Sequence, residues 1–129
     1  MKTYPAIIWE DGGLYYIKTP DVSGCLTYGE TIEQAIEEMK DALCGCICVY
    51  EDEGVAVPEP SNVMELKTEP GQVLAMVEAD VQRYRKMTDT QAVRKTISMP
   101  AWLAYLADKK IKNLSRFVQD ALEKELQIG

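Results

Sequence analysis

Arg94, Thr96 and Ser98 alternate with Val93, Ile97 and Met99 near the end of this 129-residue chain. In an extended segment that spacing puts a guanidinium and two hydroxyls on one face and apolar side chains on the other. The polar face is equipped to hydrogen-bond something outside the chain, although a plain solvated strand face has the same pattern. Lys95 interrupts the alternation on the apolar side, so either it snorkels out at the strand's end or the register begins later, at Thr96. A lone strand cannot satisfy its own backbone donors and acceptors, and no second strand follows this one. The expected partner is the same strand of another copy.

Other chemistry is thin. The chain contains no histidine, which excludes Ser-His-Asp and Cys-His catalysis, histidine-ligated zinc and histidine acid–base chemistry within it. Cys44, Cys46 and Cys48 crowd one segment and Cys25 stands apart, with no CxxC pair. Reduced, packed thiols are expected rather than a metal site or disulfide. Asp11, Asp21 and Glu30 are conceivable carboxylate ligands, but acidic residues are common in turns and no compact ligand motif accompanies them. No catalytic residue, metal or cofactor is expected.

The net charge of −7 hides an asymmetry. Residues 1–91 hold seven basic against seventeen acidic side chains, net −10, while residues 92–129 hold seven against four, net +3. An acidic body joined to a basic tail suits a basic protein partner at one end and nucleic acid at the other; ordinary solvation of both halves fits the same charges. Apolar runs fall far short of a membrane span and the first residues lack a secretory pattern, so a cytoplasmic location without membrane contact is expected.

The elements that would position these groups follow from pattern and punctuation. Thr3 to Trp9 and Leu14 to Thr19 read as strands joined through Gly12-Gly13, with a short third strand at Gly24 to Tyr28. Trp9, Tyr15 and Tyr16 read as core and hairpin packing ahead of a binding platform. Thr31 caps a helix with Gln34 as its reciprocal partner, and Ile32, Ala35, Ile36, Met39 and Leu43 form its apolar stripe to about Tyr50, with a possible bend at Gly45. A loop follows, extended briefly at Val55 to Val57. Gln72 to Asp80 reads as a strand buried on both faces. Val81 to Thr90 fits a short helix or a linker. In the tail, Pro100 is placed at the first position of one helix, and Asn113 caps a second whose buried face is Leu114, Phe117, Val118, Ala121, Leu122 and Leu126. Fewer than forty residues without a disulfide cannot bury that face alone, so an intertwined dimer is expected.

Strand, helix, helix, with Asn113-Leu114-Ser115-Arg116-Phe117-Val118-Gln119-Asp120-Ala121-Leu122, resembles a ribbon-helix-helix DNA-binding domain. Tyr4 to Trp9, Gly12-Gly13, Thr19-Pro20-Asp21-Val22-Ser23-Gly24-Cys25, Tyr28-Gly29 and Thr31 resemble the N-terminal domain of HicB antitoxins. With Val93 to Leu106, the similarity spans nearly the whole chain. The resemblance implies an α+β protein: a partial RNase H-like α/β domain without catalytic residues (1–82), a linker (83–91) and a ribbon-helix-helix domain (92–129). It implies an antitoxin that neutralises a HicA-like mRNA interferase and represses its own operon as a homodimer or higher oligomer. Carried over by position, Arg94, Thr96 and Ser98 face the bases of operator DNA, with Arg94 able to make a bidentate contact to guanine. The backbone donors of Leu114 and Ser115 beside Asn113 hold a phosphate, with charge from Lys95 and Arg116. Toxin-contacting residues do not follow from it. The alternative is a stand-alone dimeric repressor whose front domain senses a ligand or protein; a carboxylate-metal nuclease is a distant third.

Overall fold

The computed structural model describes residues 1–128 and divides into a front unit, Met1–Gln91, and a tail unit, Ala92–Gly129. The front unit is built on four strands, β1 (Lys2–Asp11), β2 (Leu14–Lys18), β3 (Leu26–Gly29) and β4 (Gln72–Ala79). They form one antiparallel sheet in the order β3-β2-β1-β4. β1 and β2 are joined through Gly12 (φ 60°) and Gly13 (φ 83°), the two positive-φ positions that a tight hairpin requires. Pro5 lies beyond the reach of β2, whose pairing with β1 covers only Ile7 to Asp11; proline is tolerated where ladder bonds are missing.

Helix α1 (Ile32–Asp52) packs on one face of the sheet. Its start is fixed twice. Gln34 N–H donates to Thr31 Oγ1 at 3.0 Å, and Glu30 N–H donates to Gln34 Oε1 at 2.6 Å, so the reciprocal bond lands one residue upstream of the expected capping box. A side chain on Gly29 would meet the backbone of Ala35, with Cβ only 2.5 Å from its nitrogen, so β3 and the helix start can approach only through glycine. The core joins Tyr4, Ala6 and Ile8 of β1, Ile17 of β2 and Val77 of β4 to Ala35, Met39, Leu43 and Ile47 of α1. The helix runs unbroken past Gly45, because burial of Leu43, Cys44, Ile47 and Cys48 outweighs the roughly 1 kcal/mol that glycine costs there. Gly45 serves packing instead: a Cβ there would lie 3.3 Å from the Tyr84 hydroxyl.

One expectation about the sheet needs correction. β4 is not buried on both faces: it is an edge strand with Val73, Met76 and Glu78 exposed. An apolar run alone does not reveal a strand's place in a sheet. Of the two readings of Val81 to Thr90, a short helix or a linker, the helix forms as α2 (Val81–Thr88), and the units divide after Gln91. α2 is capped by Asp80, which accepts from the Arg83 amide at 3.2 Å. Arg85 then joins it to the end of α1, donating to Glu51 at 3.1 Å, to Asp52 at 2.9 Å and to the Cys48 carbonyl at 3.4 Å.

The connection from α1 to β4 contains no strand at Val55 to Val57, only a single 3-10 turn at Val63–Glu65. Three clasps hold it. Tyr4 Oη donates to the Pro58 carbonyl at 2.6 Å, Lys2 pairs with Glu59 at 2.8 Å, and the Asp21 carboxylate accepts from both the amide and the hydroxyl of Ser61. Asp21 is thereby explained as a loop anchor.

The tail unit has helices α3 (Ala101–Lys110) and α4 (Leu114–Leu126), with no regular element from Asp89 to Met99. Pro100 is the N-cap of α3, not its first helical residue: its carbonyl accepts from the Leu103 and Ala104 amides, each at 3.1 Å. The missing donor is harmless in either place.

Candidate functional site

The tail unit's candidate groups lie on two stretches. Arg94, Lys95, Thr96 and Ser98 are all exposed, and so are Val93 and Ile97, which alternation assigns to an apolar face. Residues 93–99 form no regular element, and neither of the faces that alternation defines is covered among the described residues. The second stretch is the start of α4, where Asn113 Oδ1 accepts from the Arg116 amide at 3.0 Å. Helix geometry leaves the Leu114 and Ser115 amides without intrahelical acceptors and places the positive end of the helix dipole beside them. Arg116 is partly engaged, its Nε lying 3.3 Å from Asp120 Oδ1 one turn on; an incoming phosphate must compete with that carboxylate. No hydrogen bond or ion pair joins residues 94–98 to residues 113–116 among the described residues.

The apolar stripe of the tail is equally uncovered. Trp102, Phe117, Leu122 and Leu126 are each more than half exposed, and neither helix buries a residue. The face expected to be buried, from Leu114 to Leu126, therefore has no cover within a single chain. Lys109 lies 4.9 Å from the centre of the Tyr105 ring, which keeps one of the basic side chains along α3.

In the front unit the carboxylates do not converge. No group of three or more potential metal ligands occurs among the described residues; Asp21 is committed to Ser61, and Asp11 lies at the exposed end of β1. Cys25 and Cys44 are inert by burial, which pushes both up to about 11 and leaves them protonated at neutral pH. Cys25 instead donates a sulfur contact to Met39 Sδ at 3.4 Å. All four cysteines are free.

The aromatic cluster divides in a way that sequence reasoning missed. Tyr15 packs against the core beneath α1, but Tyr16 points to the opposite face with Trp9 and, across the next strand, Tyr28. Trp9 and Tyr16 stack with ring centres 5.8 Å apart and planes at 17°, and Tyr16 meets Tyr28 at 5.9 Å. Strand alternation already separates Tyr15 from Tyr16; only the register of β2 on β3 brings in Tyr28.

Comparison with known proteins reaches across both units. A family model described as the HicB-like antitoxin of bacterial toxin–antitoxin systems matches residues 4–121. The crystal structure of the antitoxin HicB of Burkholderia pseudomallei is 27% identical, with a TM-score of 0.57, over 98% of this chain and 99% of that one. A chain of the HicA3 and HicB3 toxin–antitoxin complex is 25% identical, with a TM-score of 0.53, over 60% of this chain and 98% of its own. A toxin–antitoxin complex from Streptococcus pneumoniae, at 23% identity and a TM-score of 0.60 over 95% and 97% of the two chains, speaks to the fold alone. No curated protein sequence matches. No helix among the described residues is long and apolar enough to cross a membrane.

Proposed function

The chain belongs to the HicB-like antitoxin family of bacterial toxin–antitoxin systems, and on that premise we propose that it neutralises a HicA-like mRNA interferase with its front unit and represses its own operon with its tail. The observation that carries this reading is a family match running through both units, one net −10 and the other net +3. Opposite charges on the two units suit a basic protein and a nucleic acid, and such complementarity chiefly speeds encounter and sets orientation.

The tail, residues 92–129, would pair with a second copy as a ribbon-helix-helix domain. An exposed apolar stripe on α3 and α4 and a preceding segment without a partner support that pairing. In the dimer, Arg94, Thr96 and Ser98 face the major groove from a two-stranded ribbon, which the groove has room to admit. Leu114 and Ser115 offer amides to a phosphate at the start of α4, which Asn113 holds in register and Lys95 and Arg116 flank with charge.

Two measurements test the two halves. The purified chain should prefer its own upstream region to random duplex, with affinity falling steeply as salt rises. Replacing Arg94 with Ala should cost about 1–3 kcal/mol at one base position per half-site. No salt-sensitive preference would remove the repressor role. Co-expression with the small basic protein encoded beside this gene should relieve its toxicity; a neighbour that is harmless alone, or toxicity that persists, would remove the antitoxin role.

A further inference from the structure

We propose that the sheet face opposite α1, centred on the row Trp9, Tyr16 and Tyr28, is where the front unit receives its basic toxin, an inference that rests on the antitoxin reading above. The register builds the surface. Trp9 pairs with Tyr16 and Tyr16 with Tyr28, so one aromatic from each of β1, β2 and β3 lies in a straight row on one face. The next row is Ile7, Lys18 and Leu26, and β4 extends the apolar area with Leu74 opposite Ile7 and Met76 opposite Pro5. Tyr28 is 56% exposed, Leu26 58% and Met76 48%, while Ile7 and Pro5 between them are buried, so the apolar outlay on this face lies on β3 and along the β4 edge. A depression of about 350 Å³ opens beside the row, bordered by Trp9, Lys18, Pro20, Val22 and Leu26, and gives an anchoring side chain somewhere to seat.

Charge selects the occupant. At the hairpin end the row is flanked by Asp11, and by Glu30 directly after β3; Glu78 lies at the far end on β4. A face rimmed by carboxylates on a unit of net −10 repels a polyanion, so these rings are poor platforms for stacking bases. A second copy would set the same acidic rim against itself. A basic protein meets both features, since its arginines and lysines can pair with the rim and lie over the rings. The rings accept cations within the chain already: Lys18 Nζ lies 5.6 Å from the centre of the Trp9 ring.

The test uses the full-length chain and the small basic protein encoded beside its gene. Tyr28→Ala combined with Leu26→Asp alters only exposed positions; it should weaken toxin binding at least about 30-fold and abolish growth rescue with the thermal melt unchanged. Glu37→Lys with Asp41→Lys, on the outward side of α1, should leave binding within about threefold. Asp11→Lys with Glu30→Lys should slow association at low salt and less so at high salt. Side-chain footprinting of the wild-type complex should protect Trp9 and Tyr28, a reading that needs no variant to fold. If the wild type binds and the Tyr28/Leu26 variant binds equally well, this surface is wrong and the antitoxin reading stands. Failure of the wild type to bind or neutralise overturns both. A fall in the mass of the toxin-free Leu26→Asp chain would assign the face to self-association and overturn the proposal.

Discussion

The two units carry similar apolar side chains and do opposite things with them. In the front unit, Tyr4, Ile17, Met39, Leu43 and Val77 are wholly shielded from solvent; in the tail, Trp102, Phe117, Leu122 and Leu126 are mostly exposed. The difference lies in what the sequence gives each unit to fold against. The front has a sheet to lay under its helix, whereas the tail has two helices and a segment that finds no partner within the chain. A unit that encloses its apolar surface has a stability of its own; one that does not, if it dimerises as proposed, would take its stability from association.

Trp9 and Trp102, one in each unit and the chain's two tryptophans, allow the contrast to be measured separately in single-tryptophan variants. The largest effect should come from the cores. Leu43→Ala should cost about 2–5 kcal/mol in the Trp9 transition at every protein concentration, by loss of burial plus the cavity left behind. Phe117→Ala should cost a comparable amount in the Trp102 transition, whose midpoint in the parent chain should rise with concentration. A concentration-independent Trp102 transition would break the comparison.

Matched caps sharpen it at smaller scale. Thr31 and Asn113 each accept the amide three residues on, both at 3.0 Å, so Thr31→Ala and Asn113→Ala should each cost about 1 kcal/mol. Only the second loss should appear as weaker dimerisation. The smallest expected effect is in alkali. Burial raises Cys25 and Cys44 from 9.0 to about 11, so between those values the unfolded chain surrenders protons that the folded front unit keeps. Stability from these two groups is complete below pH 9 and is lost as pH rises to about 11. The Trp9 transition should therefore weaken over that window more in the wild type than in Cys25→Ala/Cys44→Ala, while the tail, which has no cysteine, should show no such difference.

Local chemistry made much of this fold legible in the sequence. Gly12-Gly13 marks its hairpin, Thr31 and Gln34 mark the start of α1, and Asn113 marks α4, because turns and caps are decided by neighbours along the chain. Contacts set by distant residues were not legible. Nothing around Gln72 to Ala79 reveals that β4 is an edge, nothing near Asp21 points to Ser61, and Tyr28 joins Trp9 only through two registers. The candidate DNA-facing residues rest on alternation from Val93 to Met99, yet the proposed pairing would belong to two chains, which pattern along one chain does not reveal.

The pairing of β1 with β4 has a consequence for synthesis. The first strand is hydrogen-bonded to the last, with Lys2 opposite Ala79, so β1 must wait on that side while the chain from Asp11 to Gln72 is made. At about 5–20 residues per second that wait is roughly 3–12 s, during which Ile7 and Ile8 lack their β4 neighbours Leu74 and Val73. The ribosome reaches the tail only afterwards. The front unit can therefore close while each chain is still being made; if the tail pairs with a second copy as proposed, its completion depends on the meeting of two finished chains, and so on how much of the protein the cell holds.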